Sequence, residues 1–313
     1  MARARNSGPR LLRPSKRVLD AMLGGLTIGA LWILRRVDRK RMANFNGWLL
    51  RKVGPWFPEH RIGRDNLAAA FPEKSPEEIE RILGGVWDNL GRVASEFAHI
   101  DRMTIYDPDG PPQSGDLDAV YDQTTYDRFK TLRNSGKPSL VFAAHLANWE
   151  LPARAPKKFG FVASILYRRP NIGAAGDAIV AIRERCMGNM VAAGLDAPLK
   201  LGRALERGEH VAILVDQHTT QGVDVVFFGR WAKANPLVAQ LARLTGAPIR
   251  GARAIRLPDG NHFRGELTEE IQPVRGADGR IDIQGPTQAI ATVVEGWVRE
   301  HPEQWLWLHR RWR

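Results

Sequence analysis

A single cysteine, Cys186, is present. One thiol excludes an internal disulfide framework and a cysteine-rich zinc site, and it fits a reducing compartment. As a small, half-buried side chain in an arginine-rich segment, Cys186 is assigned no chemistry. Tyrosine is scarce, four against ten tryptophans. Indoles favour positions wet on one side and apolar on the other, so the skew suits a membrane interface as well as a core. Long apolar runs are missing too. The stretch Ala21 to Leu34 is shorter than the roughly 20 residues of an upright bilayer span, and no small-residue cleavage site of the secretory type follows it. Acids are outnumbered, 34 against 46 lysines and arginines. The resulting net charge of +12 and isoelectric point near 10.3 predict attraction to nucleic acid, an anionic membrane surface or an acidic carrier or substrate.

What is there is a globular chain. Its 313 residues, 43% hydrophobic and 26% charged, suffice for one large α/β domain. Residues 1–17 are basic, lack acids and read as a disordered arm. Residues 18–42, apolar with arginine and lysine on both flanks, read as a membrane-associated helix, either a shallow interfacial one or a marginal anchor, on an anionic leaflet. Residues 43–313 read as a single domain. From Asn44 to about Ile100 the pattern is helical. Ser75, Pro76 and Glu78 form a capping-box start, residues 107–116 a loop, and a further helix stops near Arg133.

The periodicity then changes. "PSLVFAAH", "FGFVASILYRR" and "GEHVAILVDQ" are apolar runs of strand length, each followed by polar and then helix-like sequence. That alternation predicts a mixed, largely parallel central sheet covered by helices on both faces. Asn235, Pro236 and Gly246 bracket another helix. Two strands flank an Asp259-Gly260 turn, and a helix and an aromatic-basic tail close the chain.

Chemistry collects where those three strands end. After the first, "HLANWE" offers His145 and Glu150. On one straight helix, residues five apart diverge by about 140°. If the strand ends at Ala144 and Asn148 caps a following helix, the bend brings the two side chains together at the carboxyl edge of the sheet, where open α/β sheets bind ligands. The second strand ends in Tyr167, Arg168 and Arg169, the third in Asp216, Gln217 and His218. A histidine-carboxylate pair beside arginines suits general-base activation of a hydroxyl with an anion bound nearby. No G-x-x-x-x-G-K-[ST] phosphate loop, H-E-x-x-H metal site or G-x-S-x-G elbow is present. Metal and cofactor are therefore not expected, and direct attack by a bound substrate is favoured over a covalent intermediate.

"HLANWE" resembles the H-x(4)-[DE] motif of glycerolipid-type acyltransferases. With "RDNLAAAFPEKSPEEIERI", "LYRRPN", "LVDQHTTQGVDVVFFGR", "NPLVAQLARLTGAPI" and "HPEQWLWLHRRWR", the chain resembles the lipid A late acyltransferases, the lauroyl/myristoyl transferase family of Gram-negative bacteria. The resemblance implies transfer of a fatty acyl chain from acyl carrier protein to a lipid A precursor hydroxyl, at the cytoplasmic face of the inner membrane. His145 would be the general base and Glu150 its orienting partner. Arg168, Arg169 and Asn171 of "YRRPN" would bind substrate, with the second arginine departing from the family's Y-R-P, and Asp216 with Gln217 would shape the site. The tail tryptophans Trp305, Trp307 and Trp312 would hold the rim near the bilayer together with the N-terminal helix, or else belong to a packed terminal helix with a solvated basic face. Two alternatives remain: the same chemistry on a lysophospholipid, ornithine lipid or mannosylated lipid, and a non-catalytic basic module for anionic lipid or nucleic acid. Nucleic acid is not an expected partner, because no recognition motif for it is visible.

Overall fold

The structure is a computed structural model describing residues 14–110, 115–169 and 174–312. The chain begins with four helices: α1 (Pro14–Leu34), α2 (Arg39–Val53), α3 (Pro58–Ala70) and α4 (Pro76–Ala98). Helix α1 takes in residues 14–17 of the segment read as an arm, while residues 1–13 lie outside the described residues. A single helix over 18–42 is not what forms. The break falls at residues 35–38, where the Asp38 carboxylate accepts from the Arg41 backbone N–H at 2.9 Å and starts α2, while Arg35 pairs with Asp101 at 2.8 Å. The capping box on α4 is complete, with Ser75 and Glu78 each bonding the other's backbone N–H. Helix α2 lies directly on α4. A Cβ on Gly91 would stand 2.3 Å from the Asn46 carbonyl oxygen, so only glycine permits this backbone approach.

The domain then alternates: β1 (Ala119–Tyr121), α5 (Gln123–Asn134), β2 (Leu140–Ala143), α6 (Ala155–Phe159), β3 (Ala163–Tyr167), α7 (Ala174–Cys186), β4 (Asn189–Ala192), α8 (Ala197–Glu206) and β5 (His210–Leu214). A hairpin, β6 (Val223–Phe227) with β7 (Arg230–Ala234), stands apart as its own two-stranded sheet. It is followed by α9 (Leu237–Thr245), β8 (Ile249–Arg256), β9 (Phe263–Leu267) and α10 (Gln284–Glu300). The seven-stranded sheet runs β1-β9-β8-β2-β5-β3-β4, and every pairing is parallel except β8 with β9. The α/β class and the mixed, largely parallel sheet agree with the strand-helix alternation of the sequence.

Alternation along each strand divides the core. Leu140 and Phe142 of β2 and Val211 and Ile213 of β5 face a cluster built with α4, α8, α9 and α10. Val141 and Ala212 point the other way, to a second cluster with α5, α6 and α7. Trp305 and Trp307 are 1% and 0% exposed and belong to the first cluster. Their expected place at a bilayer is therefore wrong. Ring contacts with each other at 4.6 Å and with Phe227 and Phe228 bury them, an arrangement the sequence spacing does not reveal.

Candidate active site

Strand order decides the site's composition. β5 lies between β2 and β3, so the nearest strand end to His145 carries Asp216, and the arginines ending β3 are one strand further away. The register Ala143↔Leu214 sets the two loops level. Asp216 accepts two hydrogen bonds from the same residue: the His145 backbone N–H reaches Oδ2 at 2.8 Å, and Nδ1 bonds Oδ1 at 2.8 Å. Trp305 Nε1 donates to Oδ2 at 2.7 Å. With Nδ1 facing a carboxylate, the imidazole carries its proton there when neutral, leaving on Nε2 the lone pair that can accept one.

The sequence reading pairs His145 with Glu150; in the structure the imidazole's hydrogen-bond partner is Asp216. Glu150, also buried, instead forms a two-pronged ion pair with Arg183 of α7, whose Nε lies 3.0 Å from Oε2. The reason is local. No helix starts at Asn148; residues 144–151 form an irregular loop instead. There the Asn148 side chain accepts from the Glu150 N–H at 3.2 Å and donates to Glu96 at 2.9 Å. Ala147 has φ 46°, a left-handed conformation costly for a residue with a Cβ. Bonds from its N–H to the Gln304 carbonyl and from Asn89 to its own carbonyl hold it there. The His145 carbonyl accepts from Leu306 N–H at 3.1 Å, so the C-terminal segment braces the loop from one side. Beneath it, Glu96 is paired with Arg256, which also bonds Asn89, while Gln304 and Arg256 bond through the latter's backbone.

Burial pulls the His145 pKa down, but the charge and hydrogen bond of Asp216, with Glu150 beyond, outweigh it; the net shift is upward. Asp216 is buried too, which favours its neutral form, yet His145 and Trp305 hold it well below the ordinary carboxylate range. The pair is tuned so that the carboxylate stays ionised and the imidazole is more basic than usual.

His145 opens on a cavity of 420 Å³ whose lining is mostly apolar. Gln217, Trp149, Glu150, Arg183 and Arg168 stand with it at the polar end. The Gln217 amide is 3.4 Å from His145 Nε2, and the Trp149 ring centroid is 5.2 Å from the imidazole. Arg168 is exposed and lines this mouth, whereas Arg169 is turned to Asp177 in a surface ion pair. Asn171 lies outside the described residues. Arg183 is the residue that sequence reading missed; it sits in the last turn of α7, and only the packing of α7 beside the loop brings it to Glu150. Cys186 is buried, its thiol bonded within α7 and pushed up in pKa mainly by desolvation.

An oriented histidine beside an apolar cavity of this size suits proton removal from a hydroxyl next to a bound hydrocarbon chain. The chain is 24% identical over 294 residues to a lipid A biosynthesis palmitoleoyltransferase of Escherichia coli (strain K12), covering 91% of this chain and 89% of the relative. Identity and coverage are the same for a lipid A biosynthesis acyltransferase of Shigella flexneri. The family model for bacterial lipid A biosynthesis acyltransferases matches residues 12–313. The non-catalytic alternative drops out, and the chain belongs to the bacterial lipid A biosynthesis acyltransferase family, as an acyltransferase with a lipid acceptor.

Proposed function

We propose that this enzyme moves a fatty acyl chain from an acyl-carrier-protein thioester to a hydroxyl of a lipid A precursor at the cytoplasmic face of the inner membrane, with His145 as general base. The carrying observation is the His145–Asp216 hydrogen bond at the mouth of an apolar cavity. His145 Nε2 takes the hydroxyl proton as the oxygen attacks the thioester carbonyl. The tetrahedral intermediate collapses, the C–S bond breaks, and the imidazolium returns the proton to the departing thiolate. Asp216 keeps the Nδ1 proton in place and stabilises the imidazolium. The Gln217 amide is near enough to donate to the developing oxyanion. Glu150, clamped by Arg183, adds negative potential beside the imidazole. Arg168, with no ion-pair partner among the described residues, is suited to a lipid phosphate at the rim.

The net charge of +12 serves both an acidic carrier protein and a phosphorylated acceptor. Among the described residues no helix is long and apolar enough to cross a membrane. The proposed attachment is through α1 and its neighbours. His145→Ala is expected to lower acyl transfer by a factor of about 10²–10⁴ with the fold intact, measured with purified acyl carrier protein and circular dichroism. Undiminished transfer by the folded variant would remove the general-base role. Mass spectrometry of lipid A from a deletion strain should show one acyl chain fewer; an unchanged pattern would move the acceptor to another lipid.

A further inference from the structure

The cavity lies along one face of the sheet and has two ends. Val141 and Ala143 of β2, Ala163 and Ile165 of β3, and Ala212 and Leu214 of β5 floor it, all on the face that register and alternation assign together. His145, Gln217 and Arg168 stand at the carboxyl end of these strands. At the other end stand Leu132 of α5, Phe161 and His210. These three residues also line a separate open groove of 460 Å³ on the outer surface, together with Arg133, Lys137 and Arg207. They are thus a wall one side chain thick between an apolar channel and a basic, solvent-facing groove.

We propose that Leu132, Phe161 and His210 form a partition that sets the upper limit on the acyl chain, at about 12–14 carbons. The inference rests on the acyl-transfer reading above and names its chain specificity. From Leu214 to His210 the strand covers four rises, about 13 Å, and the loops carrying His145 and Gln217 add a few ångströms. An all-trans hydrocarbon advances about 3.8 Å per three bonds, so a chain of about 12–14 carbons spans the channel from catalytic mouth to wall. The wall is itself packed: the Phe161 ring meets the His210 imidazole edge-on at 5.0 Å. His210 is 6% exposed and its Nδ1 has no hydrogen-bond partner. Burial lowers its pKa, so a neutral ring faces the chain end. The alanines on the floor leave width for the chain; a larger side chain midway would shorten it.

Two measurements test the partition. In the first, acyl-carrier-protein donors differing by two carbons compete for one acceptor, with products counted by mass spectrometry. Phe161→Ala should shift the ratio toward the longer chain about tenfold near the limit, each admitted methylene contributing about fourfold. Ala212→Leu should shift it toward the shorter chain. Folded variants that keep the wild-type preference would overturn the partition, whereas a wild-type enzyme that transfers no chain at all would overturn the function instead. The second measurement needs no variant: calorimetric titration of the wild-type protein with saturated fatty acids of increasing length. Affinity should rise about fourfold per methylene and stop at the limit; a rise continuing well past it would refute the wall.

Discussion

His145 and Asp216 shift each other's pKa in opposite directions through their shared hydrogen bond and opposite charges, and this has a sign that can be measured. Because the imidazole's pKa is raised above its ordinary 6.5, the enzyme gains its base only as pH climbs through that raised value. The acid limb of kcat/KM should therefore lie above the usual histidine range. Asp216→Asn should lower kcat by about 10²-fold or more and bring the limb back down; a limb that does not move would dissociate the carboxylate from the base. Stability carries the same signature. The Asp216 contribution is present above 3.8 and fades as pH falls through its depressed pKa, while the His145 contribution is present below 6.5 and fades as pH rises through its raised one. The pair thus stabilises most between those ordinary values, and the Asn variant should lose most there. Trp305→Phe removes one of the three donors to Asp216 while keeping a buried ring. Its kcat should fall about tenfold with KM little changed and the pH limb displaced, a combination that simple loss of packing would not produce.

Single elements explain what the sequence could and could not disclose. The three parallel strands were legible, since buried strands read as apolar runs and their polar ends mark the rim. Strand order was not, because sequential runs give no reason for β5 to insert between β2 and β3, and that insertion makes Asp216 the partner of His145. The loop 144–151 was equally hidden: its left-handed Ala147 is held by Asn89 and Gln304, contacts far apart in sequence. β1, β4 and the β6–β7 hairpin are partly exposed, and the last two mix polar with apolar residues, so none registers as an apolar run. Ala147 is fully buried, so Ala147→Val should cost about 2–4 kcal/mol in chemical denaturation, combining β-branching at positive φ with overpacking. Arg256→Met leaves the buried Glu96 unpaired under the same loop and should cost about 3–5 kcal/mol. A loss of under 1 kcal/mol in both would mean that the loop is not held as described.

At the scale of the whole molecule, exposed apolar side chains gather on the N-terminal helices. Trp32 and Ile33 of α1, Phe45 and Trp48 of α2, and Trp56 with Phe57 just beyond are all more than one-third exposed. Helix α1 packs on α7, the helix that carries Arg183, so this aromatic surface is one element away from the cavity mouth. Interspersed Arg36, Arg41 and Arg51 supply positive charge. Flotation with anionic vesicles should therefore capture the protein, less so at high salt. Joint Trp32→Ala, Trp48→Ala and Trp56→Ala replacement should lower the partition coefficient by about tenfold or more. Equal recovery of wild type and variant would place the contact elsewhere.

The bracing of the His145 loop by Leu306 and of Asp216 by Trp305 ties catalysis to a segment far along the chain from the strands that floor the cavity. A variant cut before residue 305 keeps those strands and the His145–Asp216 contact but loses one donor to the carboxylate and the anchor of the loop, so its acyl transfer should fall further than that of Trp305→Phe alone.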